Sequence, residues 1–219
     1  MKDTFSNSPS KLGRGSMYET PEHLVVDQIK DLKNVRSLGL GFAKTTLDPQ
    51  IYARLMDHFR SNIHQFKSEA CGGFIQTENI RAFPSLIYQD EAFNQKLLSD
   101  LQPAHEAWSG LSIRKAACYG IRVYQPKSYL YNHVDRARTH VVSSTICVDH
   151  RLISPWPLYI EDNEGRPHEV SIEPGEMVFF EGARLTHGRP YPLDGEYYAN
   201  IFIHYTPLDW DLSLQEPVQ

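Results

Sequence analysis

Cysteine is scarce in this chain: Cys71, Cys118 and Cys147 are the only three, and no two of them have CxxC spacing. An odd, sparse set argues against a disulfide-stapled secreted scaffold and against a cysteine-ligated zinc site. Basic residues are also in short supply, 22 Lys and Arg against 27 Asp and Glu, for a net charge of −5. A nucleic-acid backbone or an anionic membrane needs a basic surface, so neither is the expected partner. No run of about 18 apolar residues is present, and no secretory signal pattern opens the sequence. With so few cysteines, a reducing cytoplasmic setting is the expectation. Internal repeats and low-complexity tracts are likewise missing, which sets aside solenoids and fibrous folds.

What is present suits one domain with a substantial interior: 219 residues, 41% of them apolar, with 12 Tyr, 10 Phe and 3 Trp. Residues 1–20, rich in Ser, Lys and Gly, read as a flexible tail. Residues 21–115 read as a helical support region. Between 22 and 47, short apolar runs (Leu24, Val25, Val26; Leu38, Leu40, Phe42) allow one or two strands or an opening helix. Asp48-Pro49 then starts a clear helix carrying Ile51, Leu55, Met56, Phe59 and Ile63 on one stripe. A second helix is expected from Asp90 through Leu101, broken at Pro103, with a short third one ending at Gly110. From Lys115 the pattern changes to short Val-, Ile-, Tyr- and Phe-rich runs between Pro, Gly, Asn and Asp clusters. Strands are expected at 117–124, 129–135, 139–149, 157–161, 168–172, 176–180, 185–189 and 197–205. Helices followed by such strands predict an α+β chain whose core, 116–210, is a two-sheet jelly roll.

The chemistry centres on Tyr119 to His140, YGIRVYQPKSYLYNHVDRARTH. On a strand, residues two apart share a face, so His133 and Asp135 would converge with about 6–7 Å between their positions along the chain. An imidazole and a carboxylate at that spacing can grip one metal ion. A further neutral imidazole, for which His187 is the candidate, completes the set of two histidines and one carboxylate that suits non-haem Fe(II) with open positions. Taken alone, HxD is a weak signal, and most such tripeptides are solvated loop residues.

The segment from about Gly120 to Pro207 resembles the double-stranded β-helix (jelly-roll, cupin-like) core of the Fe(II)/2-oxoglutarate-dependent oxygenases, nearest to the prolyl-4-hydroxylase-like branch. The residues that carry the likeness are Tyr124, nine before His133; Asp135; and PGEMVFFEGARLTHGRPYPLDG, with Pro174-Gly175, the strand Met177 to Phe180, His187 and the loop Pro190 to Gly195. The closing YYANIFIHYTP resembles the last barrel strand. The resemblance implies Fe(II) held by His133, Asp135 and His187, 2-oxoglutarate and O2 as cosubstrates, and ascorbate as a candidate reductant. It implies hydroxylation of an unactivated C–H bond of a small-molecule or peptide substrate, such as a prolyl residue or a free amino acid, with release of succinate and CO2. Related halogenases replace the carboxylate with a small residue; retention of Asp135 points instead to hydroxylation or desaturation.

The sequence departs from that family where a Lys or Arg on the last strand holds the distal carboxylate of 2-oxoglutarate. Tyr197 and Tyr198 stand there, and no Lys or Arg follows Arg189. A buried carboxylate needs a cationic or strongly hydrogen-bonding partner. Tyr124, His140 and Arg189, with Asn200 nearby, are the favoured set, leaving Arg122, Arg138 and Tyr198 to cosubstrate or substrate. Arg138 and His140 resemble the Arg-x-His of aspartyl-hydroxylase-like members. Plainer readings stand beside these: Tyr124 and Tyr198 as barrel packing, Arg136 or Arg138 as solvated charges, Cys147 as a small buried apolar group. His150, His168 and His204 read as surface or core histidines, with His204 able to orient a ligand. A non-catalytic cupin-like barrel binding metal or a small ligand, and a metal-assisted hydrolase, are the other classes of function. Specificity is expected from loops 68–90 and 150–157.

Overall fold

A computed structural model describes residues 16–25, 39, 41–70, 72–79, 81 and 83–210. Most of the expected tail, Leu38, Leu40 and Cys71 lie outside the described residues. The elements run in the order α1 (Glu22–Val25), β1 (Phe42–Thr46), α2 (Pro49–Ser61), a 3-10 turn (Ile63–Gln65), β2 (Lys67–Ser68), β3 (Ile75–Thr77), β4 (Leu86–Tyr88), α3 (Glu91–Ser109), β5 (Ile113–Tyr124), β6 (Ser128–His133), β7 (Val142–Leu152), β8 (Leu158–Glu161), β9 (Pro167–Val170), β10 (Glu176–Phe180), β11 (His187–Arg189) and β12 (Gly195–Pro207). A seven-stranded sheet, β1-β10-β7-β12-β5-β4-β2, faces a five-stranded one, β3-β6-β11-β8-β9. All the pairings are antiparallel. The expected α+β double-stranded β-helix with supporting helices is the fold observed. The first half gives it more strand than the sequence suggests, since β1 to β4 extend both sheets.

The two faces of the large sheet do different work, and the period-2 alternation of its strands assigns them. Ile121, Val123, Ile146, Val148, Ala199, Ile201 and Ile203 point to the helices, where they meet Leu55, Met56 and Phe59 of α2 and Leu97, Leu98 and Leu101 of α3. The alternate positions Tyr124, Cys147, Val178, Phe180 and Tyr198 point inward and pack on Trp156, Leu158, Ile160, Leu185 and Leu193 from the small sheet's side. Each fully buried Leu or Ile contributes about 1.5–3 kcal/mol, so the helices are buttresses bought by apolar contact.

Asp48 caps α2 by accepting from the backbone N–H groups of Gln50 and Ile51 at 2.9 and 3.1 Å. In α3 the sequence expectation fails: Pro103 does not break the helix, which continues to Ser109. Leu97, Leu98, Leu101 and His105 are all buried on one face of it. Burying that stripe outweighs the hydrogen bond that proline removes. Gly110, at φ 66°, ends the helix in the left-handed conformation glycine tolerates.

Several strand limits also move. Expected strand 139–149 begins at Val142, because Arg136 to His140 form a tight turn in which the Arg136 carbonyl accepts from the N–H groups of Thr139 and His140. Strand 129–135 ends at His133, and 185–189 starts at His187 after a turn closed by Leu185 N–H to the Glu181 carbonyl.

Candidate metal centre and cosubstrate pocket

His133 ends β6 and His187 begins β11, and the two residues are register partners across the small sheet. Asp135 lies beyond the end of β6, so its position owes nothing to strand pleat. Instead its backbone N–H donates to the Gly182 carbonyl at 2.8 Å, fastening it to the turn before β11. One ligand atom from each of His133, Asp135 and His187 lies within 4.8 Å of the others. His133 Nε2 is 3.6 Å from Asp135 Oδ1, and His187 Nε2 is 3.7 Å from Oδ2. Each imidazole donates its Nδ1–H to a backbone carbonyl two residues back, His133 to Tyr131 at 2.7 Å and His187 to Leu185 at 2.8 Å. That fixes the tautomer and leaves both Nε2 lone pairs turned toward Asp135.

Gly182 makes room for this arrangement. A Cβ there would stand 2.5 Å from Asp135 Oδ2, 2.6 Å from Ser143 Oγ and 2.7 Å from the His140 carbonyl. Burial would raise the Asp135 carboxyl, but His187, His133 and His204 around it prevail and hold it well below the ordinary carboxylate range. Burial pushes His187 down to about 4. A carboxylate beside a His187 imidazole kept neutral by burial is a protonation state that a divalent ion requires. Asp135 Oδ2 is buried and accepts no hydrogen bond from the described residues, which leaves a lone pair for an ion.

The three residues sit in the wall of a cavity of about 430 Å³ between the sheets. Of the other residues singled out in the sequence, Tyr124, His140 and Arg122 line it too, together with His204, Tyr119, Phe74, Phe202 and Arg136. Arg122 is held by a two-pronged ion pair with Glu69 at 2.6 and 2.7 Å. His140 stacks on His204 with ring centroids 3.7 Å apart, and its Nε2 is hydrogen-bonded to the Tyr119 hydroxyl at 3.1 Å. His204 Nδ1, hydrogen-bonded to Ser143 at 2.8 Å, lies 3.9 Å from Asp135 Oδ2.

Arg189, Tyr198 and Asn200 are not cavity-lining residues but lie in the packed interior. Arg189 donates to the Trp156 carbonyl and to the Tyr198 hydroxyl, the latter at 2.9 Å, with its guanidinium 4.3 Å from the Tyr198 ring centroid. Asn200 donates to Thr145 Oγ1 at 3.2 Å. Arg138 is exposed and outside the cavity wall, and His150 and His168 pair with Glu173 and Asp162 instead. From loop 68–90, Gly72, Gly73 and Phe74 reach the cavity, whereas Trp156 of the other candidate loop packs against Tyr124 at 5.1 Å. Tyr119, Gly182 and Phe202 carried no assigned role in the sequence, and Phe74 was reached only as part of loop 68–90. Their only signal was proximity to the motifs, because strand irregularities and turns decide that Tyr119, Phe74 and Phe202 face the cavity and that Gly182 backs Asp135.

Fold and site together define a class: a double-stranded β-helix that gathers two imidazoles and a carboxylate at one end of the space between its sheets. Among solved structures, the chain is similar to a prolyl-4-hydroxylase from Pseudomonas putida, at 16% identity and a TM-score of 0.55 over 76% of this chain and 92% of the other. It is similar to a Trichoplax adhaerens prolyl hydroxylase in complex with a peptide fragment of the hypoxia-inducible factor, at 14% identity and a TM-score of 0.58 over 81% and 88% of the two chains. A third likeness is to HygX from Streptomyces hygroscopicus with nickel, 2-oxoglutarate and hygromycin B, at 14% identity and a TM-score of 0.56 over 78% and 84%. No family model and no curated protein matches the sequence. At these identities the likeness establishes the fold.

Proposed function

We propose that this chain is an Fe(II)- and 2-oxoglutarate-dependent oxygenase that hydroxylates an unactivated C–H bond. The overall reaction is R–H + O2 + 2-oxoglutarate giving R–OH + succinate + CO2. The observation that carries the reading is the convergence of His133 Nε2, His187 Nε2 and Asp135 in one buried cluster with an unpartnered carboxylate oxygen. Three protein ligands suit Fe(II) and leave positions for a chelating cosubstrate and O2. The bound ion supplies O2 activation driven by oxidative decarboxylation of 2-oxoglutarate. Three solved structures of this fold are of two prolyl hydroxylases and of a protein bound to nickel and 2-oxoglutarate, which supports the same chemistry here.

The chain's own residues have separable tasks in this reading. The backbone-anchored imidazoles hold the ion with fixed tautomers, and Gly182 keeps the space that Asp135 occupies. Tyr124 presents a buried hydroxyl that finds no acceptor among the described residues and lies close to the Arg122 guanidinium. Arg189, only 2% exposed, pairs with no carboxylate among them. A buried guanidinium without an anion and a phenol without an acceptor are poorly satisfied as they stand. In this reading the distal carboxylate of 2-oxoglutarate meets Tyr124 and His140 at the cavity wall, with the buried Arg189 guanidinium close behind Tyr124 supplying positive charge and Asn200 deeper in the interior. Arg122, already neutralised by Glu69, is left to shape the wall.

Incubation with Fe(II), ascorbate and 2-oxoglutarate tests the assignment. Succinate release that disappears in His187→Ala is the expected result. Metal uptake with no succinate from the native protein would leave a binding barrel, and a His187→Ala protein with normal Fe(II) affinity and turnover would overturn the ligand set.

A further inference from the structure

The cavity also carries a charge pattern that bears on the substrate. Resting on the oxygenase reading, the sum around the centre is short. A divalent ion against the Asp135 carboxylate leaves one positive charge, which the dianionic cosubstrate and Arg189 together bring to zero. Arg122 is cancelled by Glu69 at 2.6 Å. Arg136 is the one lining cation that remains: it directly follows Asp135, is exposed at the cavity, and has no carboxylate partner among the described residues. Asp135 is the only carboxylate among the described residues that line the cavity, and in the oxygenase reading it is committed to the metal.

The rest of the wall is apolar or aromatic. Phe74 stacks on His133 with centroids 4.5 Å apart, and Ile75, Val134 and Phe202 continue the surface. At the rim, Gly72 and Gly73 face open space, with nothing within 4 Å of where a Cβ would be. An uncharged, flat or branched body fits between these groups. A free ammonium finds no counter-charge among the described lining residues, because the one acidic group among them is assigned to the metal.

We infer that the prime substrate is a carboxylic acid with an uncharged apolar body, its carboxylate paired with Arg136 and its carbon framework lying between Phe74 and Phe202. This narrows the sequence's suggestion: a C-terminal or N-acylated prolyl group fits, and a free amino acid does not.

The test compares 3-phenylpropionate and N-acetyl-L-proline with their primary amides and with free L-phenylalanine and L-proline. Two readouts are taken: succinate release above each protein's own substrate-free rate, and calorimetric affinity for the protein loaded with Ni(II) and 2-oxoglutarate. An acid should bind about tenfold tighter than its amide, the size of one charge-assisted contact. Only acids should stimulate succinate release. In Arg136→Glu the order should invert, with 3-phenylpropylamine preferred over 3-phenylpropionate. Equal response to acid and amide, stimulation by the free amino acids, no response to any member, or an unchanged order in Arg136→Glu each overturns the inference while substrate-free succinate release still supports the oxygenase. No succinate under any condition overturns the oxygenase reading itself, and the inference with it.

Discussion

At the scale of single residues, the proposed metal centre depends on a glycine that offers no ligand. Gly182 has no side chain to offer, yet a methyl there would meet Asp135 Oδ2 at 2.5 Å and the His140 carbonyl at 2.7 Å. Neither can retreat far, one being buried between imidazoles and the other backbone. Gly182→Ala should therefore weaken Ni(II) or Fe(II) binding by about 10- to 100-fold, as displacing a ligand's support does elsewhere. Calorimetric titration of the metal-free protein checks this, and native affinity in the variant would show that Asp135 has room to spare. Arg189 gives the second residue-scale expectation. If it holds the cosubstrate, Arg189→Ala should raise the 2-oxoglutarate concentration needed for substrate-free succinate release by about 30- to 1000-fold, corresponding to a lost charge pair of about 2–4 kcal/mol. If Arg122→Ala produces that rise and Arg189→Ala does not, the cation belongs to β5 and not β11.

Among elements, α3 shows how a helix against the sheet carries a cost in acid. His105 is buried between α3 and β7, bonded through Nδ1 to the Leu101 carbonyl at 2.8 Å and through Nε2 to Ser144 at 2.9 Å. Burial drives its pKa down to about 4 from an ordinary 6.5. At pH 5 the folded chain keeps this imidazole neutral while the unfolded chain protonates it. The unfolded state then binds the extra proton, and stability falls as pH drops from about 6.5 to about 4. The full cost is on the order of 3 kcal/mol for this one group. Urea denaturation of metal-free protein at pH 7 and pH 5 should show the loss, and His105→Gln, which cannot protonate, should show a smaller one. An identical pH slope in His105→Gln would assign the acid sensitivity elsewhere.

For the whole molecule, the proposed ligands come from the end of β6, the turn beyond it and the start of β11, segments brought together only in the folded chain. An ion that binds there and not to the unfolded chain stabilises the fold by RT ln(1 + [ion]/Kd), about 2.7 kcal/mol at 100 times Kd. Loading with Ni(II) should raise the thermal midpoint, and EDTA should reverse it. His187→Ala should lose the response; a variant that keeps it would place the bound ion outside the cluster.

The sequence by itself determined the elements that rest on periodicity and on local chemistry. The alternation of Ile121, Val123, Ile201 and Ile203 with Arg122, Tyr124 and Asn200 wrote the two faces of the large sheet. Asp48-Pro49 wrote the start of α2, and the HxD with a later histidine wrote the candidate ligands. What it could not supply was anything set by one segment's contact with another. Pro103 stays inside α3 because the sheet buries the stripe around it, a tertiary gain that no local rule includes. Asp135 reaches the imidazoles because the Gly182 carbonyl anchors it, not because a strand carries it there. Arg189 and Arg122, both two residues from a motif position, look equivalent in the chain. Only the folded structure distinguishes them, pairing one with Glu69 in the cavity wall and burying the other against Trp156 and Tyr198 with no carboxylate partner among the described residues. Charge balance is a property of neighbours in space, and those neighbours lie far apart in the sequence.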